Sequence, residues 1–257
     1  MSTPSSRRSV SRAQYDDAAN RFPELTVLNY GFASDSDETV VPPDTPEFYC
    51  LRLYEHAVRG TSLEGARVLE VSCGRGGGAA FLALTFSPSR YVGIDVSEGN
   101  VRLARERHAA ANLEFRVGDA ESLDEPDASF DVVINIEASH LYDDRRAFFA
   151  EVHRVLVPGG RFCYADGGWR DDDVVPELVA AGFRVLDRRD ITVNVVRALE
   201  LDSARREAVA DSIADEAARK AYLDWSGVVG NRAYRRLADG EARYFSCLLE
   251  RPAASKR

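Results

Sequence analysis

The order of apolar and polar positions predicts short buried strands that alternate with amphipathic helices along most of the chain. The runs that predict strands are Arg67–Val71, Tyr91–Ile94, Glu114–Val117, Phe130–Ile136, Arg161–Ala165, Phe183–Leu186 and Arg243–Leu249. The segments that predict helices between them are Gly77–Leu84, Glu98–Ala110, Arg145–Leu156 and Asp173–Ala181. Repeated strand–helix units of this kind are typical of an α/β fold with a doubly wound, mostly parallel sheet.

The strand–helix pattern is interrupted at several points, which divide the chain into five parts. Residues 1–12 are small, polar and basic and are expected to be disordered, and residues 13–62 are expected to form an N-terminal helical lid. The core follows over 63–195, a helical substrate cap is inserted at 196–240, and 241–257 hold the final strand and a tail. Within the cap, the charged positions predicted to form a solvated helical face are Arg205, Arg206, Glu207 and Asp211.

The composition disfavours several classes of protein. The 257 residues include 33 Lys and Arg against 42 Asp and Glu, a net charge of −9, so no nucleic-acid partner is expected. The four cysteines form no CxxC pair and no His, Asp or Glu cluster has ligand spacing, so no metal is expected. Because we find no signal peptide and no run of about 20 apolar residues, we expect a cytoplasmic protein with no membrane partner. As to its assembly, either a monomer or a homodimer is expected.

A glycine-rich turn and two acids follow consecutive predicted strands. The turn Gly74–Gly78 comes after the first strand, where glycines let backbone N–H groups approach a ligand closely. Asp95 ends the second strand and Asp119 follows the third, and ligands of such sheets lie beyond the carboxyl ends of the strands. This layout predicts a site for a cofactor that contains adenosine.

The carboxylates indicate which adenosine cofactor binds. Glu70 can face an ammonium group, Asp95 can accept both ribose hydroxyls, and Asp119 can accept the adenine amino group. So many carboxylates would repel a pyrophosphate but tolerate a sulfonium-bearing amino acid, which favours S-adenosylmethionine (SAM) over a dinucleotide. Each acid alone would also serve as an ordinary cap of the helix that follows it, and only the combination favours the cofactor.

Several segments together resemble the class I SAM-dependent methyltransferases: Leu69–Gly78, Gly93–Ser97, Gly118–Leu123, Phe130–His140 and Arg154–Gly160. The stretches Leu28–Gly31, Glu70–Gly74 and Asn135–His140 resemble the phthiotriol/phenolphthiotriol dimycocerosate methyltransferases and related natural-product O-methyltransferases. The resemblance covers residues 25–250 and implies a Rossmann-like sheet of seven strands, with the last strand antiparallel. Ser72 departs from the pattern, because the wider superfamily has a glycine there. The implied cofactor residues are Tyr30, Glu70, Ser72, Gly74, Gly76, Asp95, Val96, Asp119, Ala120 and Asn135.

The same resemblance implies the residues that carry the reaction. His140 follows the central strand and is expected to act as a general base, assisted by Asp166 at the end of the next strand. Two alternatives stay open at this point, namely that His140 only lines the pocket and that Asp166 only caps the segment after its strand. The other three histidines fall on predicted helices and carry no such indication: His56, His108 and His153.

The residues expected to meet the substrate are Glu137, Tyr142, Trp169 and Trp225. Glu137 could hydrogen-bond the substrate or hold the lid. In the related cyclopropane synthases, a glutamate at this motif position helps to organise an anion site for alkene chemistry, which keeps C-methylation open.

The leading hypothesis is a SAM-dependent O-methyltransferase that acts on a hydroxyl of a lipid, polyketide or glycosylated metabolite and releases S-adenosylhomocysteine. Methylation of carbon or nitrogen is the second hypothesis. A third is a SAM-binding cyclase, isomerase or regulatory module that transfers no methyl group. An NAD-dependent oxidoreductase is disfavoured by Asp119 and by the stretch Val157–Gly160, expected to stop the helix before it, because both fit the methyltransferase pattern.

Overall fold

The computed structural model describes residues 13, 15–17, 21–36 and 38–253, so the predicted disordered tail at 1–12 lies outside the described residues. The strands are β1 (Arg67–Val71), β2 (Arg90–Asp95), β3 (Leu113–Val117), β4 (Phe130–Ile136), β5 (Leu156–Trp169), β6 (Arg184–Asp190) and β7 (Ala242–Glu250). They form one sheet in the order β3-β2-β1-β4-β5-β7-β6. β7 runs antiparallel to both of its neighbours, β5 and β6, whereas β1 to β5 pair in parallel, which confirms the predicted Rossmann-like α/β fold.

Helices cover both faces of this sheet. They are α1 (Phe48–Ala57), α2 (Gly77–Phe86), α3 (Glu98–Arg107), α4 (Arg145–Val155), α5 (Val175–Ala180), α6 (Thr192–Ser212), α7 (Glu216–Trp225) and α8 (Arg232–Ala238), with a 3₁₀ turn at Ser139–Leu141. Within the described ranges, no helix is at once long and apolar enough to cross a lipid bilayer.

The central strands bury side chains on both faces because successive residues of a strand point in opposite directions. Val68 and Ile134 pack into the cluster that contains α1 and α2, whereas Leu69 and Val133 pack into the cluster on the α4 side. Both faces are therefore covered, and this explains why β1 and β4 read as continuous apolar runs.

β5 differs from the prediction at both ends. It begins at Leu156, directly after α4, so the stretch expected to stop the helix already belongs to the strand. Gly159 N donates to Arg251 O at 2.7 Å, and Trp169 pairs with Ala242 at the other end. Pairing with β7 thus extends the strand through glycines that give no apolar signal.

The cap, α6 to α8, lies between β6 and β7 in the chain and contacts the N-terminal segment. Phe22 and Leu25 pack with Ala210 and Tyr222 in a separate small apolar cluster. The prediction that Arg206 lies on a solvated helical face is wrong, because this residue is only 4% exposed. Its guanidinium is buried because it donates to Asp202 and to backbone carbonyls of the N-terminal segment.

A stability test follows from the packing of α2. A Cβ at Gly78 would come within 2.0–2.3 Å of the Tyr54 ring. Alanine ordinarily stabilises a helix interior by up to about 1 kcal/mol, but overpacking of this kind costs about 1–3 kcal/mol. We therefore expect Gly78→Ala to lower the free energy of unfolding, measured by urea denaturation. Gly118→Ala is the control, because its Cβ would meet Ile94 only at 3.5 Å; equal losses in both variants would contradict the packing argument.

Candidate active site

A first cavity of about 830 Å³, part of it open to solvent, lies at the carboxyl ends of the central strands. We call it the cofactor cavity. The predicted cofactor residues that line it are Ser72, Gly74, Asp95, Val96, Asp119 and Ala120. Six of the ten predicted residues are thus brought together, although they come from the ends of three different strands.

Asp95 is held in place by backbone donors. Its Oδ2 accepts from Gly74 N and its Oδ1 from Ser97 N, both at 2.9 Å. Burial raises the pKa of Asp95 to about 6, although these bonds work in the opposite direction. Gly74 has φ +56°, a left-handed conformation that favours glycine, and the atom nearest to an added Cβ would be a Leu28 methyl at 4.0 Å. The turn therefore leaves open space beside a fixed carboxylate.

Ser72 adopts φ +59°, an uncommon conformation for a residue other than glycine. Its Oγ lies 2.7 Å from Tyr142 Oη, which also accepts from Asn135 Nδ2 at 2.9 Å. Asn135, predicted to contact the cofactor, is fully buried behind this tyrosine and donates to Val71 O as well. The structure therefore places Tyr142, predicted to meet the substrate, in the cofactor cavity.

Two other predicted cofactor residues lie behind the cavity wall. Glu70 accepts from Tyr54 Oη at 2.8 Å and from Tyr91 Oη at 2.6 Å. Burial raises the pKa of Glu70 to about 7, although both hydroxyls lower it. Gly76 faces the core, because an added Cβ would come 2.5 Å from the Phe115 ring. Tyr54, and not Glu70 itself, lines the cofactor cavity.

The chemistry of the cofactor cavity fits SAM. Among the described residues that line it, four are acids, Asp95, Asp119, Glu121 and Glu137, and none is basic. This balance suits a ligand with an ammonium and a sulfonium group and opposes a pyrophosphate. Asn100 also lines the cavity, and its buried Oδ1 has no hydrogen-bond partner among the residues that the structure describes. A buried acceptor of this kind calls for a donor, which a ribose hydroxyl or an amino group supplies.

A second cavity of about 1370 Å³, again including space open to solvent, adjoins the first. We call it the acceptor cavity. The residues that line both cavities, and so form their shared wall, are Tyr15, Leu28, Asn29, Glu137 and Leu141. Tyr30, one of the implied cofactor residues, lines the acceptor cavity instead, together with His140 and Trp225.

His140 and Asp166 form a close pair at the acceptor cavity. His140 Nδ1 lies 2.7 Å from Asp166 Oδ1, and His140 N donates to Asp166 Oδ2 at 3.0 Å. Ser139 Oγ and Gly167 N donate to the same carboxylate at 2.7 and 2.8 Å. This carboxylate therefore fixes the imidazole with Nδ1 as the donor, which leaves Nε2 as the acceptor.

The charges of this pair shift both pKa values. Desolvation works to lower the pKa of His140, but the Asp166 carboxylate outweighs it and holds the pKa above its ordinary value. Burial works to raise the pKa of Asp166, yet the imidazole and the hydrogen bonds hold it below its ordinary value. Asp166 is thus an anion over the neutral range, which is the state that orients a histidine base.

Glu137 occupies the shared wall in a left-handed conformation, φ +52°. Its Oε2 accepts from Tyr30 N at 2.9 Å and from Tyr244 Oη at 2.8 Å. Burial raises the pKa of Glu137 to about 7 against the effect of these bonds. The side chain therefore ties the N-terminal segment and β7 to the end of β4.

The two predicted tryptophans lie in different places. Trp225 lines the acceptor cavity. Trp169 is 58% exposed outside both cavities, and the Arg236 guanidinium lies 4.5 Å from its ring centre. The prediction that both rings meet the substrate has geometric support only for Trp225.

Sequence reasoning missed two residues of the site. Asn100 lines the cofactor cavity from the first turn of α3, and Arg206 lines the acceptor cavity from the cap. Asn100 had a readable signal, because it lies in the turn that follows Asp95, and its Nδ2 donates to Asp95 Oδ1 at 3.3 Å. Arg206 had none, since its position depends on how the cap packs. Tyr15, an aromatic residue of the N-terminal segment, reaches the shared wall.

Comparisons with known proteins agree with this geometry. A family model described as a methyltransferase domain matches residues 69–164. A fatty-acid O-methyltransferase from Mycolicibacterium smegmatis is 39% identical over 238 residues, which cover 90% of this chain and 85% of that protein. A phthiotriol/phenolphthiotriol dimycocerosates methyltransferase from Mycobacterium tuberculosis is 37% identical over 230 residues, with coverage of 86% and 83%.

The fold is shared with a solved cyclopropane synthase from Mycobacterium tuberculosis, at a TM-score of 0.76 and 16% identity over 97% of this chain and 100% of that one. Identity this low supports the fold alone. The sequence identity to the two relatives supports membership of their family as well as the fold. SAM is the cofactor that this family and the chemistry of the cavity both require. The chain belongs to the class I SAM-dependent methyltransferases, in the group of the phthiotriol/phenolphthiotriol dimycocerosates methyltransferases and the fatty-acid O-methyltransferase.

Proposed function

We propose that this enzyme methylates a hydroxyl group of a small, largely apolar molecule, such as a lipid or another natural product. The observation that carries the proposal is the 2.7 Å contact between His140 and Asp166 at the acceptor cavity. A hydroxyl must lose its proton as its oxygen gains the methyl group, and an oriented imidazole is the group suited to accept that proton. One of the two relatives is named a fatty-acid O-methyltransferase, which supports transfer to oxygen on a lipid-like molecule.

Each residue of the pair has a defined part in this reaction. When bound, SAM supplies a methyl group on a positively charged sulfur. His140 Nε2 accepts the hydroxyl proton as the oxygen–carbon bond forms and the carbon–sulfur bond breaks. Asp166 keeps Nδ1 protonated and stabilises the resulting imidazolium. Asp95 and the Gly74 turn hold the cofactor beside the wall that the two cavities share.

Glu137 supports C-methylation as a second candidate. Its carboxyl group lies in the shared wall, and its pKa of about 7 allows it to exchange a proton in the neutral range. In that case His140 would not be needed as a base, so the effect of removing it separates the two candidates. The position of the new methyl group, read by NMR of the product, separates them independently.

The first test concerns the cofactor. Asp95→Ala removes the carboxylate that we assign to the ribose hydroxyls, and we expect SAM binding measured by calorimetry to be lost. Asp124→Ala is the matched control, because Asp124 is an exposed acid outside both cavities. Unchanged affinity in the Asp95 variant would contradict the assigned cofactor site.

The second test concerns the base. We expect His140→Ala to lower turnover by about 10²-fold or more, measured as S-adenosylhomocysteine formed with an accepted alcohol. SAM affinity should stay near that of the unmodified enzyme, because His140 does not line the cofactor cavity. His153→Ala removes a histidine of α4 that lies outside both cavities and should retain turnover. If His140→Ala also retains turnover, the proton is taken elsewhere.

The third test is the pH dependence. Only neutral His140 can accept a proton, and its pKa lies above 6.5, so turnover should rise with pH through that region and then level off. Asp166→Asn removes the carboxylate that raises the pKa and leaves the desolvation that lowers it. We therefore expect the rise in turnover to occur at lower pH in this variant, and the turnover reached at high pH to fall by about 10- to 100-fold. A profile that stays in place in the Asn variant would argue against the pair as the base.

A further inference from the structure

Two buried hydroxyls lie behind the pair of His140 and Asp166. Ser139 Oγ donates to Asp166 Oδ2 at 2.7 Å, and Tyr164 Oη lies 2.8 Å from Ser139 Oγ and 3.4 Å from the same carboxylate oxygen. Neither Ser139 nor Tyr164 lines the cofactor cavity or the acceptor cavity. Both hydroxyls can therefore act on the reaction only through Asp166.

The fold holds these hydroxyls at fixed positions beside the carboxylate. Tyr164 and Asp166 are two residues apart on β5, and alternate residues of a strand point to the same face. The 3₁₀ turn that follows β4, the parallel neighbour of β5, brings Ser139 to that face. The Tyr164 ring is packed between Phe149 and Phe162, whose ring centres lie 6.0 and 5.7 Å away.

The direction of each hydrogen bond follows from the protons available. An ionised carboxylate only accepts, and a hydroxyl has one proton to donate. Ser139 gives its proton to Asp166, so its oxygen must accept the proton of Tyr164. All three side chains are buried, and water does not compete for these bonds. We call the chain of donors from Tyr164 through Ser139 to Asp166 the hydroxyl relay.

We propose that Ser139 and Tyr164 are positioning residues for the base, because their hydroxyl relay keeps the Asp166 carboxylate in the orientation that fixes the His140 imidazole. This inference rests on the proposed function and adds two residues to it. Oδ2 is occupied by Ser139 Oγ and His140 N, which leaves Oδ1 for the imidazole N–H. Without the relay the carboxylate turns more freely, and Nε2 points at the acceptor for less of the time.

The relay also acts on the charge of the pair. Ser139 directs the positive end of its O–H dipole at Asp166 and offsets part of the negative charge that raises the pKa of His140. Removing the relay exposes the imidazole to more of that charge, so the pKa of His140 should rise further. The imidazole and the remaining N–H donors still hold Asp166 as an anion. Loss of the carboxylate itself has the opposite effect, because it lowers the pKa of His140.

The other titratable groups that face the pair stay the same in every variant. Glu137 raises the pKa of His140, and Arg145, whose charge is matched by two acids, lowers it. Differences between variants therefore report on the relay. The remaining groups are tyrosines whose pKa is raised by burial, so they stay neutral in the range of the test: Tyr15, Tyr142 and Tyr244.

The test measures the pKa of His140 by NMR titration, using the ring-proton signal that is absent from His140→Ala. The two variants are Ser139→Ala and Tyr164→Phe, and the second removes a hydroxyl while it keeps the packed ring. We expect the pKa of His140 to rise by about 0.3 to 1 in Ser139→Ala and by less in Tyr164→Phe, which acts through Ser139. For the same reason, Tyr164→Phe should have a smaller effect in a protein that already carries Ser139→Ala.

Turnover should follow the same direction. The pH at which turnover rises should move upward in both variants, and the turnover reached at high pH should fall by about 3- to 10-fold in Ser139→Ala. SAM affinity should be retained, because neither residue lines the cofactor cavity. Tyr234→Phe is the matched control: its hydroxyl donates to Glu200 at 2.8 Å outside both cavities, and its removal should change neither the pKa of His140 nor turnover.

A His140 pKa that stays in place or falls in the two variants would overturn the inference, even where turnover is reduced, since a loss of packing alone does not raise this pKa. Tyr164→Phe provides the same test if Ser139→Ala does not fold. The NMR titration requires no substrate. An upward shift of the pKa in an enzyme that methylates no alcohol would therefore support the relay and count against the proposed function, so the two failures are distinguishable.

Discussion

The arrangement of the site depends on the contacts of the half-buried Glu137 carboxylate. It stands at the end of the central strand β4 and accepts one bond from the backbone of the N-terminal segment and one from a side chain of β7. Parts of the chain more than a hundred residues apart therefore meet at one group. The left-handed backbone at this position is strained for glutamate, and such strain persists only where surrounding contacts determine it. The wall between the two cavities is held by these contacts.

Another acid of the site, the buried Asp166, differs from Glu137 in its partners. Asp166 accepts several hydrogen bonds and faces an imidazole, so its pKa falls below the ordinary value despite burial. Glu137 has two neutral donors and its pKa rises to about 7. Desolvation works to raise the pKa at both positions, and the number and charge of the donors decide the direction of the net shift. One acid is therefore suited to hold a base, and the other to shape the boundary between the cavities.

Much of the sheet and of the cofactor cavity could be predicted from sequence because both depend on local patterns. Buried parallel strands read as apolar runs, and Asp95 and Asp119 follow two of them at the same edge of the sheet. The prediction was weaker where side chains from distant parts of the chain pack together. Tyr142 and Tyr30 each lie in the cavity opposite to the one expected, and Arg206 is buried in the cap. No local pattern encodes which way a cap helix faces, since that depends on contacts with residues nearly two hundred positions away.

The placement of β7 has a consequence for the order in which the protein can be made. β7 follows β6 in the chain but lies between β5 and β6 in the sheet. On the ribosome, domains fold as the chain emerges from the N-terminal end. β6 therefore has no neighbouring strand to pair with until β7 has left the exit tunnel, and Tyr244, which binds Glu137, arrives on that same strand. A nascent chain can collapse around β1 to β5. The sheet and the wall shared by the two cavities are completed together, once β7 has emerged.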